Sequence, residues 1–370
     1  MFTKKIVNLV AAKSVTGSNL GLLQKVVLVS LGGTSLSKDE QKTIKKSELA
    51  SLSASGDTKL VLDAYFSATE NAITVLEMSA VSTTPETISE KVTRLKKMLD
   101  DESLTGYIII LPKELFKEPT ITNVLTPFND VNKHTYFVMP VEYGVDLTSN
   151  TNIQRVKGMK SCILVYEQLQ SASYSAMGLF AATYTNTFNI SLTNTMRAFE
   201  YIFINQQVKD ITKTTSDLLD KSLVVYFGNI IGKPGYLNVK CQDGEEFAYY
   251  IAYDNMSIRV TDRVANALVN ANNKFNSAIT YDDIGITTLK SIIEDEMINC
   301  VNLKLVTEFG ASYSEADQAI GDLNEISAIP FQTYIASQPE DYKNSAYNGF
   351  SFETRISKFI LTVNINANLY

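Results

Sequence analysis

Between residues 25 and 184 the chain repeats one arrangement, in which a short apolar run of β-forming residues is followed by a longer segment of helical character. The apolar runs lie at 25–31, 73–78, 107–111, 135–140 and 160–166. Strands that alternate with helices are joined by crossovers, and this favours a mostly parallel sheet with helices on both faces. The predicted fold class is therefore α/β.

One helix in this region is defined closely by its residue types. Thr84 is suited to the N-cap and Pro85 to the first helical position. The apolar residues that follow recur at helical spacing and predict one buried face: Ile88, Val92, Leu95 and Leu99. A second helix is predicted near 173–184, and the polar segment 34–58 is compatible with a helix.

After about residue 190 the pattern becomes α+β in parts. Strands are predicted at 223–227, 236–241 and 246–253, with Asp243 and Gly244 as a hairpin turn between the last two. Helices are predicted at 196–208, 216–219, 257–270 and 287–300.

Both ends of the chain have the pattern of extended strands. The last twelve residues alternate in character, with one predicted face made of Phe359, Leu361, Val363, Ile365, Ala367 and Leu369. The start is also β-prone and includes Ile6, Val7 and Leu9. The terminal strand either completes the chain's own sheet or adds to a sheet in a neighbouring copy.

Composition argues against several classes of protein. A net charge of −7 disfavours general nucleic-acid binding, which needs clustered Lys and Arg. No apolar run approaches the roughly 20 residues that span a bilayer, so no membrane partner is expected. The three cysteines are far apart and are predicted to be reduced core residues.

The sequence carries no recognisable catalytic, metal or cofactor motif. His134 is the only histidine, and the sequence has no serine-elbow motif whose nucleophile it could activate. The turn at 32–35 lacks the spacing of a phosphate-binding loop, and in the turn at 232–235 a proline removes an amide donor that such a loop needs. The acidic clusters at 100–102, 245–246, 282–283 and 294–296 are predicted to be solvated faces. We expect no cofactor, no metal and no enzymatic activity.

Three stretches of the second half resemble the sheath-like proteins of contractile bacteriophage tails. The first is 243–247, followed by Asp254 and a helix ending at 264–268; the others are 278–286 and 339–342. The chain departs from that family at Asn255, where tryptophan is frequent, and at Lys358 and Phe359, where small residues and a histidine are common. The family's N-terminal Pro-Gly-Val-Tyr-like motif is missing.

The resemblance implies two α/β domains with extended terminal β-arms. The expected boundaries are an N-terminal arm at 1–22, an outer domain at 23–195, an inner sheath-like domain at 196–355 and a C-terminal arm at 356–370. It implies a structural subunit that polymerises by strand exchange into a helical sleeve and contracts to drive injection. Lys290, Glu294 and Asp295 mark a possible tube-facing helix.

The implied partners are other copies of the chain, a tail tube protein, and baseplate and tail terminator proteins. The implied location is the virion, after assembly in the host cytoplasm. Two alternatives stay open at this point. One is another tail component (tube, terminator or baseplate protein), and the other is an enzyme that binds a nucleotide at the strand ends near Gly32, Gly33 or Pro112.

Overall fold

The computed structural model describes residues 19–79, 86–130, 132–188, 198–272, 278–311 and 322–359. The packing of the backbone divides these residues into two units. The larger unit comprises the described residues between 21 and 248, and the smaller unit comprises Asn19, Leu20 and the described residues between 249 and 359.

The larger unit is built on a mixed sheet of eight described strands in the order β2-β3-β1-β4-β5-β6-β7-β8. The six central strands are parallel, and the two edge strands, β2 and β8, pair antiparallel with their neighbours. The strands are β1 (Val26–Ser30), β2 (Gln41–Ile44), β3 (Ile73–Glu77), β4 (Ile108–Ile110), β5 (Tyr136–Val141), β6 (Cys162–Tyr166), β7 (Val224–Ile230) and β8 (Lys233–Leu237).

Helices connect these strands and cover both faces of the sheet. The α-helices are α1 (Gly56–Ala68), α2 (Ile88–Asp100), α3 (Lys113–Lys117), α4 (Thr122–Leu125), α5 (Thr151–Val156), α6 (Ala176–Thr187) and α7 (Lys213–Lys221). Short 3₁₀ helices lie at Asn19–Gln24, Lys46–Leu52, Pro119–Ile121 and Thr126–Asn129. This three-layer arrangement confirms the α/β prediction.

Each face of the sheet has its own apolar core. On one face, strand residues such as Val29, Ile109 and Leu164 pack with α2 and α7 through Leu95 and Leu219. On the other face α1 packs against α6, and α6 contacts β4, β5 and β6. A cluster of buried aromatic rings also lies in the larger unit: Tyr107, Tyr136, Phe180, Tyr184, Phe199, Tyr236 and Phe247.

Helix α2 begins three residues later than predicted. Thr87 is the N-cap, since its side chain accepts a hydrogen bond from the Glu90 amide at 3.2 Å while Glu90 Oε2 accepts from the Thr87 amide at 2.8 Å. This reciprocal capping box provides hydrogen-bond partners for two backbone amides at the start of the helix. The N-cap is therefore Thr87 and not the predicted Thr84. Thr84 and Pro85 lie outside the described residues.

Three local predictions are wrong for identifiable reasons. The segment 34–58 contains β2, an edge strand whose sequence Gln-Lys-Thr-Ile has no apolar alternation. The described part of the predicted helix 196–208 is not helical, because its backbone bonds to β8, as in the Tyr201 amide to the Tyr236 carbonyl at 3.0 Å. The predicted strand 246–253 is helical, since a short apolar run does not distinguish a strand from a buried helix.

The predicted division between domains near residue 195 also differs from the structure. β7 pairs in parallel with β6, and β8 pairs with β7, so the sheet of the larger unit continues to Leu237. The larger unit accordingly extends to Ala248.

The smaller unit combines helices with a three-stranded antiparallel sheet in the order β10-β11-β9. Its described elements are most of α8 (Phe247–Asn272), α9 (Asp283–Asn302), β9 (Val306–Ala311), β10 (Ser327–Ala328), α10 (Phe331–Ser337), α11 (Pro339–Lys343) and β11 (Phe350–Ile356). In the described residues, no helix is long and apolar enough to cross a membrane.

Candidate functional site

Helix α9 carries the three residues predicted to face a tube, and its start is firmly defined. Asp282 is the N-cap, because its Oδ1 accepts a hydrogen bond from the Gly285 amide at 2.8 Å. Thr280 Oγ1 donates to the other carboxylate oxygen at 2.7 Å. These hydrogen bonds to the ionised form lower the pKa of Asp282. A charged cap at this end also complements the helix dipole.

The two sides of α9 differ in exposure. Ile293, Met297 and Cys300 are buried and form its inner stripe. On the opposite side Ile284 is 78% exposed and Ile298 is 42% exposed, and the exposed Asp295 lies between them in sequence. An exposed helix face with two isoleucines and one carboxylate is suited to contact another protein.

The three predicted tube-facing residues do not share one environment. Glu294 Oε1 accepts a hydrogen bond from the Ile326 amide at 2.9 Å, which ties α9 to the segment just before β10. Lys290 Nζ lies 3.5 Å from the same oxygen. Glu294 and Lys290 thus have partners within the unit, whereas Asp295 is exposed. Contact between these residues and a tube stays a prediction.

β11, the central strand of the small sheet, pairs over different lengths with its two neighbours. β11 pairs with β9 from Phe352 to Ile356, but β10 contributes only Ser327 and Ala328. Phe359, the first residue of the predicted terminal face, is half-buried and lies beyond β11 outside any strand. The other predicted arm residues lie outside the described residues: Ile6, Val7, Leu9, Leu361, Val363, Ile365, Ala367 and Leu369.

The loop after β1, considered for nucleotide binding, already uses its backbone donors. The Gly32 amide donates to Glu77 Oε1 at 2.6 Å, and the Gly33 amide donates to Ser30 Oγ at 3.0 Å. Ser30 Oγ in turn donates to Glu77 Oε2 at 2.8 Å. A phosphate-binding loop needs such amides free to face the ligand. In this conformation the Gly32 amide is bonded to the Glu77 carboxylate and the Gly33 amide to the Ser30 hydroxyl instead.

Glu77 is not among the predicted site residues, although its place in the sequence gives one signal of a structural role. It is the acidic residue at the end of an otherwise apolar strand, and it is fully buried. Besides Gly32 and Ser30, it accepts hydrogen bonds from Thr34 Oγ1 at 2.8 Å and from the Ser79 amide at 2.9 Å. A charged residue within a buried strand needs several partners, so its position alone points to a loop-organising role.

The remaining chemical candidates do not form a reactive cluster. Cys162, Cys241 and Cys300 are buried and are not joined by disulfides. Burial raises the pKa of Cys162 and Cys300 to about 12, which keeps both thiols protonated. Within the described ranges, no group of three or more His, Cys, Asp or Glu residues is placed to hold a metal ion.

The fold is that of contractile tail sheath proteins. The anti-feeding prophage helical sheath in its contracted state matches 100% of this chain and 98% of its own, with a TM-score of 0.60 and 11% identity. A chain of the anti-feeding prophage baseplate in the contracted state matches 100% of this chain and 97% of its own, with a TM-score of 0.59 and 11% identity.

The sheath tail protein of Desulfitobacterium hafniense is similar over 82% of this chain and 92% of its own, with a TM-score of 0.50 and 12% identity. No protein-family model and no curated protein sequence matches the chain. At these identities the comparisons establish the fold, and the resemblance noted in the sequence agrees with them.

Proposed function

We propose that the chain is a structural subunit of a contractile tail sheath. The observation that carries this proposal is the similarity along the whole of both chains to the anti-feeding prophage sheath. A likeness confined to the α/β core would fit many unrelated proteins, since such folds host many functions. Because the similarity also covers the smaller unit, it supports a sheath architecture more specifically than a match of the α/β core alone would.

In this proposal the subunits polymerise through their terminal arms. The alternating pattern of 359–370 suits a strand that adds to the sheet of a neighbouring copy. The smaller unit offers a receiving sheet in which β10 pairs with only two residues of β11. Head-to-tail contacts of this kind need not close into a ring, so they produce an open helical sleeve. The sleeve would surround a tail tube and shorten to drive injection.

The exposed side of α9 is the surface we assign to the tube. Ile284, Asp295 and Ile298 lie on it, while Lys290 and Glu294 support it from within the unit. The baseplate and the tail terminator would contact the two ends of the polymer, and the assembled protein would belong to the virion.

Electron microscopy of the purified full chain tests this proposal. We expect wide hollow tubes, and we expect a chain that lacks residues 359–370 to stay folded but to form no long tubes. An internal control is the substitution Ile360→Thr, which leaves the alternating face intact and is expected to leave tubes unchanged. If the truncated chain formed normal tubes, residues 359–370 would not be the assembling arm. If the intact chain stayed monomeric, the sheath proposal itself would be wrong.

A second candidate is a baseplate component of the same kind of machine. The observation that favours it is the similarity to a chain of the anti-feeding prophage baseplate, again over the whole of this chain. The same micrographs discriminate between the two, because a baseplate component is expected to give closed rings rather than extended tubes.

A further inference from the structure

A cavity of about 610 Å³ opens at the carboxyl ends of the central strands of the larger unit. β1 has β3 on one side and β4 on the other, so the order of the strands reverses at β1. In open α/β sheets this switch point is where ligands bind. The volume also lies within the range of small-molecule sites, which is about 300–1,000 Å³.

The floor of the cavity is apolar. Leu28 and Ile110 come from the central strands, and Val61, Leu169 and Met177 surround them. All five side chains are buried. Such a floor favours the apolar body of a ligand over water, at about 25 cal/mol for each Å² of apolar surface removed from solvent.

The backbone around the cavity offers little to a phosphate group. Pro112 follows β4 and Pro140 lies in β5, and proline has no amide hydrogen to donate. The amides of Gly32 and Gly33 are already bonded to Glu77 and Ser30. An anion in this cavity must therefore be recognised by side chains.

Three lysines line the cavity, and two of them can supply that recognition. Lys113 pairs with Asp57 at 3.1 Å, whereas Lys91 Nζ donates to the neutral Ser79 Oγ at 2.7 Å. Lys209 Nζ lies 4.6 Å from the centre of the Tyr143 ring. In the described part of the chain neither Lys91 nor Lys209 has a carboxylate partner. Both lysines line the cavity.

The carboxylates that line the cavity are mostly occupied elsewhere. Glu142 pairs with Lys117 at 3.0 Å. Glu167 accepts hydrogen bonds from Ser175 Oγ at 2.8 Å and from the Ala176 amide at 2.7 Å, at the start of α6. Glu114 is exposed at the rim. Among the described residues, no ion pair joins any of these carboxylates to Lys91 or Lys209.

We propose that this cavity binds an apolar organic monoanion, with its ring or hydrocarbon chain on the apolar floor and its carboxylate or sulfonate at Lys209. The inference goes beyond the sheath role and does not depend on it, because every residue involved belongs to the larger unit.

The test uses the full chain and the fluorescent probe 8-anilinonaphthalene-1-sulfonate, which joins an apolar ring system to one sulfonate. We expect saturable binding at one site per chain that Lys209→Glu weakens by about tenfold or more, as expected for reversing a charge at close range. Ala172→Trp, at an exposed residue lining the cavity, is expected to reduce binding similarly by filling space.

Two substitutions are matched controls. Ser173→Trp adds the same side chain to an exposed residue of the same loop that does not line the cavity. Lys213→Glu reverses a charge on the surface of α7. Both are expected to leave probe affinity unchanged, with melting temperatures recorded for every variant. Equal probe binding by all four variants would overturn the proposal, and so would displacement of the probe by ATP as readily as by decanoate.

Discussion

The Gly32 amide donates a hydrogen bond to Glu77 Oε1 at 2.6 Å, so the turn after β1 closes on a carboxylate from the end of β3. The two residues are 45 positions apart in sequence, and the strands that precede Gly32 and end at Glu77, β1 and β3, are parallel neighbours. Ser30, Thr34 and Ser79 donate to the same carboxylate. The turn is therefore organised around one buried carboxyl group.

Replacing this carboxylate should destabilise the larger unit. Glu77→Ala leaves several donors without an acceptor, and a buried unsatisfied group costs about 1–3 kcal/mol. We expect a loss of about 3 kcal/mol or more in the free energy of unfolding. Glu77→Gln keeps one acceptor oxygen and should cost clearly less. Denaturant unfolding followed by circular dichroism measures both, and equal stability of Glu77→Ala and the parent would contradict the role assigned to the carboxylate.

A glycine in α6 should tolerate no larger side chain. A Cβ at Gly178 would lie 2.2 Å from the carbonyl oxygen of Val61 in α1, so backbone would have to move. Overpacking of this kind costs typically about 1–3 kcal/mol, and we expect Gly178→Ala to lower the melting temperature accordingly. A Cβ at Gly21 would meet no atom within 4 Å, so Gly21→Ala is the control with an unchanged melting temperature.

Adjacent acidic residues of α9 should respond differently to truncation. Glu294→Ala removes the acceptor of the Ile326 amide, and we expect a loss of about 1–2 kcal/mol. Asp295→Ala changes an exposed side chain and should stay within about 0.5 kcal/mol. Thermal unfolding of both variants provides the comparison. If the two variants lost equal stability, Glu294 would have no special role in holding the segment before β10.

The exposed side of α9 should matter for assembly rather than for folding. In the proposed sheath role, Ile298→Glu places a charge where we expect an apolar contact with the tube. We therefore expect this variant to lose binding to the tube while it keeps its melting temperature. Co-sedimentation with a purified tube measures this. Ile231→Ser, at an exposed isoleucine of the larger unit, is the control. An equal loss from Ile231→Ser would show a general effect of removing surface apolar groups.

The cap of α9 should make part of the stability depend on pH. Hydrogen bonds from Thr280 and Gly285 lower the pKa of Asp282 below its unfolded value. The stabilisation is therefore present above the ordinary aspartate range and is lost as the pH falls through the folded pKa. Asn also caps helices but does not titrate, so the difference in melting temperature between the parent and Asp282→Asn should shrink from about pH 7 to about pH 3.

The control for this titration is Asp295→Asn on the same helix. The Asp295 side chain is exposed, and the described residues provide no hydrogen-bond donor to it, so Asp295→Asn should have nearly the melting temperature of the parent. A constant difference for Asp282→Asn across the titration would mean that ionisation of the cap does not contribute.

The strands of the larger unit were predictable because each is a dense apolar run within a repeated pattern. Strand predictions at 73–78 and 107–111, for example, match β3 and β4 closely. The edge strand β2 was not predictable, because its four residues neither alternate between apolar and polar nor form an apolar run. The sequence predicts a strand at 246–253 because the aromatic and β-branched residues there favour a strand locally. The structure has the start of α8 at this place instead, and Phe247 packs into the aromatic cluster.

The candidate sites were predictable only in part. Helical periodicity predicts an inner stripe on α9 made of Leu289, Ile293, Met297 and Cys300. The last three are buried, and Leu289 is half-buried. Periodicity does not reveal that Glu294 holds the Ile326 amide, because that contact joins residues 32 positions apart. The cavity at the strand ends likewise depends on how α1, α6 and the Lys209 segment come together, and no local pattern in the sequence encodes that meeting.

The buried aromatic cluster has a practical consequence for spectroscopy. The chain has 19 tyrosines and no tryptophan, so its near-ultraviolet signal comes mainly from tyrosine. Tyr107, Tyr136 and Tyr184 are buried together in the larger unit, where fixed packing makes their rings strongly dichroic. Melting of that unit should thus be visible by its own optical signature, and a single tryptophan introduced into the smaller unit would report separately on the melting of that unit.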